Sequence, residues 1–342
     1  MNRPLRLAIN GYGRIGRCVL RALHESSLKD FFQVVAINEP ADLASMVYLT
    51  QFDSTHGVFP GKVEQGSNSL VINGNPVQVS HATEPEAVDW RALQVDLLLE
   101  CSGHYGSRAQ LQRFIDAGCP HVLVSQPCNS AEDVDYTVVY GINHDGLTGR
   151  ERIVSNASCT TNAIVPILAE LDKTFGVDHA FLTTLHSVMN DQPMIDGYHH
   201  SDLRRTRSAM QSIVPVATGL AQGVERLLPQ LAGKVQAKAI RVPILNVSAI
   251  DLMVKLQSDV PVPAMNAALL AATQHYRGLL DYSDHPHASI DFNHNPHSAV
   301  IDASQTRTNG DGFANLFIWF DNEWGFANRM LDVAQTWSAR FQ

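Results

Sequence analysis

From residue 5 to residue 125 the chain repeats one pattern. A short apolar run is followed by a turn of small or polar residues and then by apolar positions at helical spacing. Residues 5–9, 33–37, 95–100 and 121–125 read as buried strands. Helical spacing follows through Val19, Leu20 and Leu23, over 41–50 and over 108–117. Between them, residues 57–94 alternate short strands with turns such as Asn73-Gly74-Asn75-Pro76. Alternation of this kind predicts a doubly wound parallel sheet with helices on both faces.

Beyond residue 158 the texture changes. Residues 163–171 have helical spacing, 180–186 form a strand ending in His186, and 235–241 and 247–256 read as further strands before a helix over 264–275. Residues 189–212 form a polar, arginine-bearing loop without apolar period, and an ordered loop of that length usually has a function. The predicted fold class is α/β, a Rossmann-type domain over 1–158 and an α+β domain with a mostly antiparallel sheet over 159–322. A last helix over 323–342 is expected to pack back onto the first domain.

Two stretches carry chemistry. The first is Gly11-Tyr12-Gly13-Arg14-Ile15-Gly16, set between a strand and a helix. The first glycine permits a tight turn, the second lets the backbone approach a pyrophosphate, and the third lets helix pack on strand. Glu39, at the tip of the second strand, can accept hydrogen bonds from ribose hydroxyls and would repel a 2′-phosphate, which favours NAD over NADP; an exposed loop carboxylate is the plainer alternative. Ser102, Gly103 and Ser125 end later strands and would face the same crevice.

The second stretch is Ser155 to Asn162, where a strand hands over to a helix at Cys159. A helix start offers unpaired N–H groups and partial positive charge, which stabilise a thiolate and later an oxyanion. A buried cysteine acting as a small hydrophobe is the common alternative. The polar neighbours Ser158, Thr160, Thr161 and Asn162 favour a nucleophile.

Composition narrows the field. The 342 residues carry a net charge of −9, which opposes nucleic acid or an anionic membrane as main partner but permits a local pocket for a phosphorylated metabolite. Five scattered cysteines without a Cys-x-x-Cys pair indicate neither a disulfide framework nor structural zinc, and fit a reducing cytoplasm. No leader-like stretch opens the chain, and no run approaches the ~18 apolar residues of a membrane helix.

Five blocks closely resemble the glyceraldehyde-3-phosphate dehydrogenase family in order and spacing. They are residues 9–17, residues 35–39, the Ser155 to Asn162 stretch, Arg241-Val242-Pro243, and Trp319-Phe320-Asp321-Asn322-Glu323-Trp324-Gly325-Phe326. The resemblance implies Cys159 as nucleophile, His186 as its base, Asn322 as holder of the nicotinamide carboxamide, and Ser158, Thr160, Thr218, Gly219 and Arg241 around the substrate. It implies NAD as cofactor, a small phosphorylated aldose as substrate and a homotetramer. Stretches at 139–141, 202–207 and 291–298 are similar to the branch of the family that oxidises D-erythrose 4-phosphate, in pyridoxal phosphate synthesis, rather than to the glycolytic branch. Where the glycolytic enzyme has phosphate-binding threonines after its histidine, this chain has Met189 and Asp191. Neither helps a phosphate: a thioether does not donate, and a carboxylate repels. His285, His287, His294 and His297 have no metal role in the family, so no metal is expected, and Arg204, Arg205 and Arg207 are expected to face a neighbouring subunit and cofactor rather than nucleic acid.

Overall fold

A computed structural model of the chain describes residues 3–199 and 202–341, so Met1, Asn2, Gln342 and, within the long loop, His200 and Ser201 lie outside it. The chain divides into two compact units, Met1–Ser158 with Ala327–Gln342, and Cys159–Phe326.

The first unit carries a nine-stranded sheet. Its elements in chain order are β1 (Leu5–Asn10), α1 (Arg14–Glu25), β2 (Phe32–Asn38), α2 (Leu43–Gln51), the small pair β3 (Phe52–Asp53) and β4 (Gly57–Val58), β5 (Val63–Gln65), β6 (Ser69–Ile72), β7 (Asn75–Ser80), β8 (Leu97–Glu100), α3 (Arg108–Asp116), β9 (Val122–Val124), β10 (Tyr136–Thr137) and β11 (Ile153–Ser155). The strand order is β10-β11-β9-β8-β1-β2-β7-β6-β5. From β10 to β7 every pairing is parallel, and β5 and β6 join antiparallel at the edge. The order reverses direction between β1 and β8, the switch point where such sheets open a ligand crevice at their carboxyl ends.

Burial explains the apolar runs. Leu97, Leu98 and Leu99 of β8 are fully buried, as expected for a parallel strand covered on both faces. Trp90 and Phe114 anchor the cluster on one face, with the Trp90 indole donating to the Pro85 carbonyl at 2.8 Å. A capping box between Ser107 and Gln110 starts α3. Sequence places the start of β8 at Val95, whereas the strand begins at Leu97. Asp96 is drawn out of it by the Arg3 guanidinium and the Arg6 N–H, each at 2.8 Å.

The second unit comprises α4 (Cys159–Phe175), β12 (Val177–His186), β13 (Val214–Val216), α5 (Leu220–Leu227), β14 (Val235–Arg241), β15 (Ser248–Leu256), α6 (Val262–His275), β16 (Leu280–Ser283), β17 (Ala299–Thr308), β18 (Phe313–Phe320) and the start of α7 (Trp324–Ser338). Its seven strands run β13-β14-β12-β15-β18-β17-β16, mostly antiparallel, with β12–β14 and β16–β17 parallel. Buried and open positions alternate along β12, so the sheet buries one face in this unit.

Two expectations are corrected. The loop over 189–212 is not wholly irregular: Leu203–Thr206 forms a 3₁₀ turn, started by Asp202, whose carboxylate accepts from the Arg204 N–H. The last helix spans Trp324–Ser338 rather than 323–342, and its first turn belongs to the second unit. Asp321 accepts from the Glu323 and Trp324 N–H groups, His294 stacks on Trp324 at 3.6 Å between ring centroids, and a side chain at Gly325 would meet the His297 carbonyl at 2.5 Å. Those contacts tie Trp324–Phe326 to the antiparallel domain.

Candidate active site

Cys159 is the first residue of α4, so its thiol stands at the positive end of a long helix. His186 is the last residue of β12, which lies between β14 and β15 inside the seven-stranded sheet. Their side chains meet, with Cys159 Sγ 3.7 Å from His186 Nε2. On its other nitrogen, Nδ1–H donates to the Ser187 carbonyl at 2.9 Å. That bond leaves Nε2 unprotonated and facing the thiol, the tautomer a general base requires. Thr160 Oγ1 lies 3.9 Å from the same sulfur.

The charges around the pair can be ordered. Burial pushes the Cys159 thiol up, and Thr160 and the Arg241 guanidinium pull it back toward ionisation. Burial and Arg241 both push the His186 imidazole down, to about 4. At neutral pH the pair therefore rests as thiol and imidazole, with Nε2 placed to accept the Sγ proton. Arg241 is itself part-buried, with Asp191 opposing the loss of its charge, and it donates to the Ser187 carbonyl at 3.4 Å.

Ser187 is the hub that sequence reasoning missed. Its carbonyl receives His186 and Arg241, its hydroxyl donates to Asn322 Oδ1 at 3.0 Å, and its N–H donates to Ser248 Oγ, whose own hydroxyl reaches Asn322 Oδ1 at 2.7 Å. Both serines are fully buried. Two hydroxyls on Oδ1 orient the Asn322 amide so that Nδ2 is its remaining donor, the group an amide oxygen would need. A buried serine beside a strand-ending histidine gives little sequence signal.

Thr218 and Gly219 stand at the start of α5, where Thr218 Oγ1 accepts from the Leu220 N–H and Gly219 is the N-cap. On the next turn Gly223 faces Thr161 of α4, where a Cβ would lie 3.3 Å from Thr161 Oγ1. The second unit thus gathers Cys159, Thr160, His186, Arg241 and Asn322 through direct or one-residue links, and holds Thr218 and Gly219 on a helix packed against α4. Ser158 closes the first unit.

In the first unit the glycine turn has the form a dinucleotide needs. Gly11 has φ +85°, and a Cβ there would lie 2.4 Å from Ser102 backbone atoms; a Cβ at Gly16 would lie 2.3 Å from the Gly11 carbonyl. Both are places only glycine fits. Gly13, by contrast, has open space where its Cβ would be, and it starts α1 with no side-chain cap and no acidic residue in the first turn. An uncapped helix start with an open approach suits a pyrophosphate. Tyr12 is buried and bonds Thr50, Arg14 pairs with Asp53 at 2.6 Å, and Ile15 follows on α1. Glu39 Oε2 accepts from the Tyr12 N–H at 2.7 Å, which sets the carboxylate beside the turn. Gly103 has φ +75°, and the Ser125 N–H donates to the Glu100 carbonyl at 2.9 Å, so both lie at the ends of β8 and β9.

The His186 shift predicts a pH effect with a definite sign. The unfolded imidazole has its ordinary value of 6.5 and the folded one about 4, so the unfolded state binds the extra proton between them. Stability conferred by the neutral ring is present above that window and lost as pH falls through it. His186→Asn should flatten the change in Tm across this range, and should slow alkylation of Cys159 by iodoacetamide at neutral pH by roughly 100-fold, the scale of general-base assistance. Equal alkylation rates would contradict the pairing.

Among the described residues no helix is long and apolar enough to cross a membrane. Residues 5–108 match the description Glyceraldehyde 3-phosphate dehydrogenase, NAD binding domain, and residues 158–322 match Glyceraldehyde 3-phosphate dehydrogenase, C-terminal domain. The two matches share most of the chain between them, in the order of the two units and with the cofactor named by the first; the chain belongs to the glyceraldehyde-3-phosphate dehydrogenase family and carries its NAD-binding domain.

Proposed function

We propose that the protein is an NAD-dependent aldehyde dehydrogenase that oxidises D-erythrose 4-phosphate to 4-phospho-D-erythronate, with release by water, in pyridoxal phosphate biosynthesis. The observation that carries the choice of aldehyde is the pair Met189 and Asp191. Met189 is partly exposed with a thioether where a hydroxyl donor would serve a nearby phosphate, and Asp191 is bound to Arg205 at 3.0 Å. With short-range donors removed and Arg241 kept, a phosphate carried one carbon further from the aldehyde is the better fit.

The chain's own groups supply the steps. His186 Nε2 takes the Cys159 proton, and Sγ adds to the aldehyde carbon as the C=O π pair moves to oxygen. The imidazolium returns the proton to that oxygen, giving a hemithioacetal. NAD, when bound, would supply the acceptor for the hydride that leaves the former aldehyde carbon. His186 removes the hydroxyl proton as hydride departs, leaving a thioester on Cys159; once the imidazolium has passed that proton to solvent, the neutral ring serves as base for the water that releases the acid and returns the water's proton to the Cys159 thiolate. Asn322 would hold the carboxamide and Glu39 the adenosine ribose.

The second reading, phosphorylating glyceraldehyde-3-phosphate dehydrogenase, draws on Thr218, Gly219 and Arg241, which keep an anion pocket for inorganic phosphate. Initial rates with both aldehydes, with and without phosphate, separate the two. The expected outcome is a preference of roughly tenfold in kcat/KM for the four-carbon aldehyde, independent of phosphate, narrowed by Met189→Thr. Strict phosphate dependence with preference for the three-carbon aldehyde would sink the proposal.

The proposed assembly is a cytoplasmic homotetramer, as in the family; a sedimentation mass near one chain would refute it. For Glu39, replacement by alanine should narrow the ratio of NAD to NADP affinity by roughly tenfold. An unchanged ratio would count against the ribose role.

A further inference from the structure

Glu100 closes β8 in the middle of the NAD-binding unit, is fully buried, and forms no salt bridge among the described residues, His104 acting on it only through its charge. Its Oε1 accepts from Asn10 Nδ2 at 3.1 Å, from the Ser102 N–H at 3.0 Å and from the Ser102 hydroxyl. Its Oε2 is buried without a hydrogen-bond partner. Beyond Asn10 the bonds continue: Asn38 Nδ2 donates to Asn10 Oδ1 at 2.8 Å, and Ser80 Oγ donates to Asn38 Oδ1 at 2.9 Å. These residues end β8, β1, β2 and β7, which lie side by side in the sheet.

The donors all run one way, toward Glu100. Turning either amide over would set donor against donor or acceptor against acceptor: the Ala82 carbonyl and N–H hold Asn38 at one end of the row, and the Glu100 carboxyl oxygen receives Asn10 at the other. Each rung also precedes a cofactor loop: Gly11 follows Asn10, Glu39 follows Asn38, and Ser102-Gly103 lie just past Glu100. The Gly11 and Ser102 loops touch, since a Cβ on Gly11 would lie 2.4 Å from Ser102 Cα.

An ionised carboxylate buried without a salt-bridge partner costs more than a neutral acid in the same place, even though the acid leaves one O–H without an acceptor. With three donors on Oε1, the proton belongs on Oε2. Burial pushes the carboxyl up and outweighs the Ser102 and Asn10 hydrogen bonds, which pull it down.

We propose that Glu100 is a positioning residue for NAD, acting as an uncharged acid whose Oε1 ties the glycine turn and the Ser102 loop to one acceptor. The proposal rests on NAD as the cofactor, so wild-type binding is measured first; no binding would overturn that reading and the proposal with it. On the full chain, quenching of intrinsic fluorescence should report that Glu100→Ala weakens NAD by roughly tenfold or more, since it leaves the Asn10 and Ser102 donors unpaired. Glu100→Gln, which keeps Oε1 and carries no charge, should stay within about threefold of wild type. The rate of Cys159 alkylation in NAD-free protein, and kcat at saturating NAD, should change little in either variant, giving a KM effect without a kcat effect. Glu100→Ala binding NAD like wild type would overturn the proposal, as would Glu100→Gln failing as badly as Glu100→Ala, because charge rather than the neutral acceptor would then be needed. Should Glu100→Ala not fold, the infrared difference spectrum of wild type and Glu100→Gln at neutral pH decides: it should contain the C=O stretch of a protonated carboxyl, and its absence would overturn the assignment.

Discussion

The proposed chemistry depends on one hydrogen bond, from His186 Nδ1 to the Ser187 carbonyl. Without it the ring could present either nitrogen to Cys159, and a protonated Nε2 could not take the thiol proton. With it, the ring is held in one tautomer at the end of a central strand, 3.7 Å from the sulfur at a helix start. Strand and helix fix the two reacting atoms more firmly than loops would.

The same residue joins three side chains of the candidate site. Through its carbonyl Ser187 holds the base and touches Arg241, and through its hydroxyl, with Ser248, it orients Asn322. The imidazole, the guanidinium and the amide, proposed as base, anion-binding cation and cofactor amide, thus share one buried anchor. Burial has an electrostatic cost, visible in the thiol pushed up and the imidazole pushed down. Arg241 acts on both: it favours the thiolate and disfavours the imidazolium. The neutral resting pair is the balance of those effects, and it keeps the proton on sulfur until the imidazole removes it.

How much of this was legible depended on whether the signal was local. The glycine turn, the all-apolar β8 and the polar stretch before α4 are local, and each was readable because backbone geometry or burial demands those residue types at those places. The start of β8 was misread because Asp96 is taken by Arg3 and Arg6, partners far away in sequence. The helix start at Trp324 was set by Asp321 and His294, and the 3₁₀ turn in the long loop by Asp202. Ser187 and Ser248 were invisible for the same reason: a serine's partner sixty residues away leaves no pattern. Glu100 did leave a trace, a charged residue ending a run of leucines, and its burial without a salt bridge is what turns that oddity into a physical question.

The most direct test of the account is to catch the thioester. Protein mixed with D-erythrose 4-phosphate and NAD, quenched in acid within the first turnover and digested, should yield an acylated peptide whose added mass sits on Cys159, and His186→Asn should accumulate it far more slowly. No adduct during turnover, or an adduct on Cys18, Cys101, Cys119 or Cys128, would contradict it.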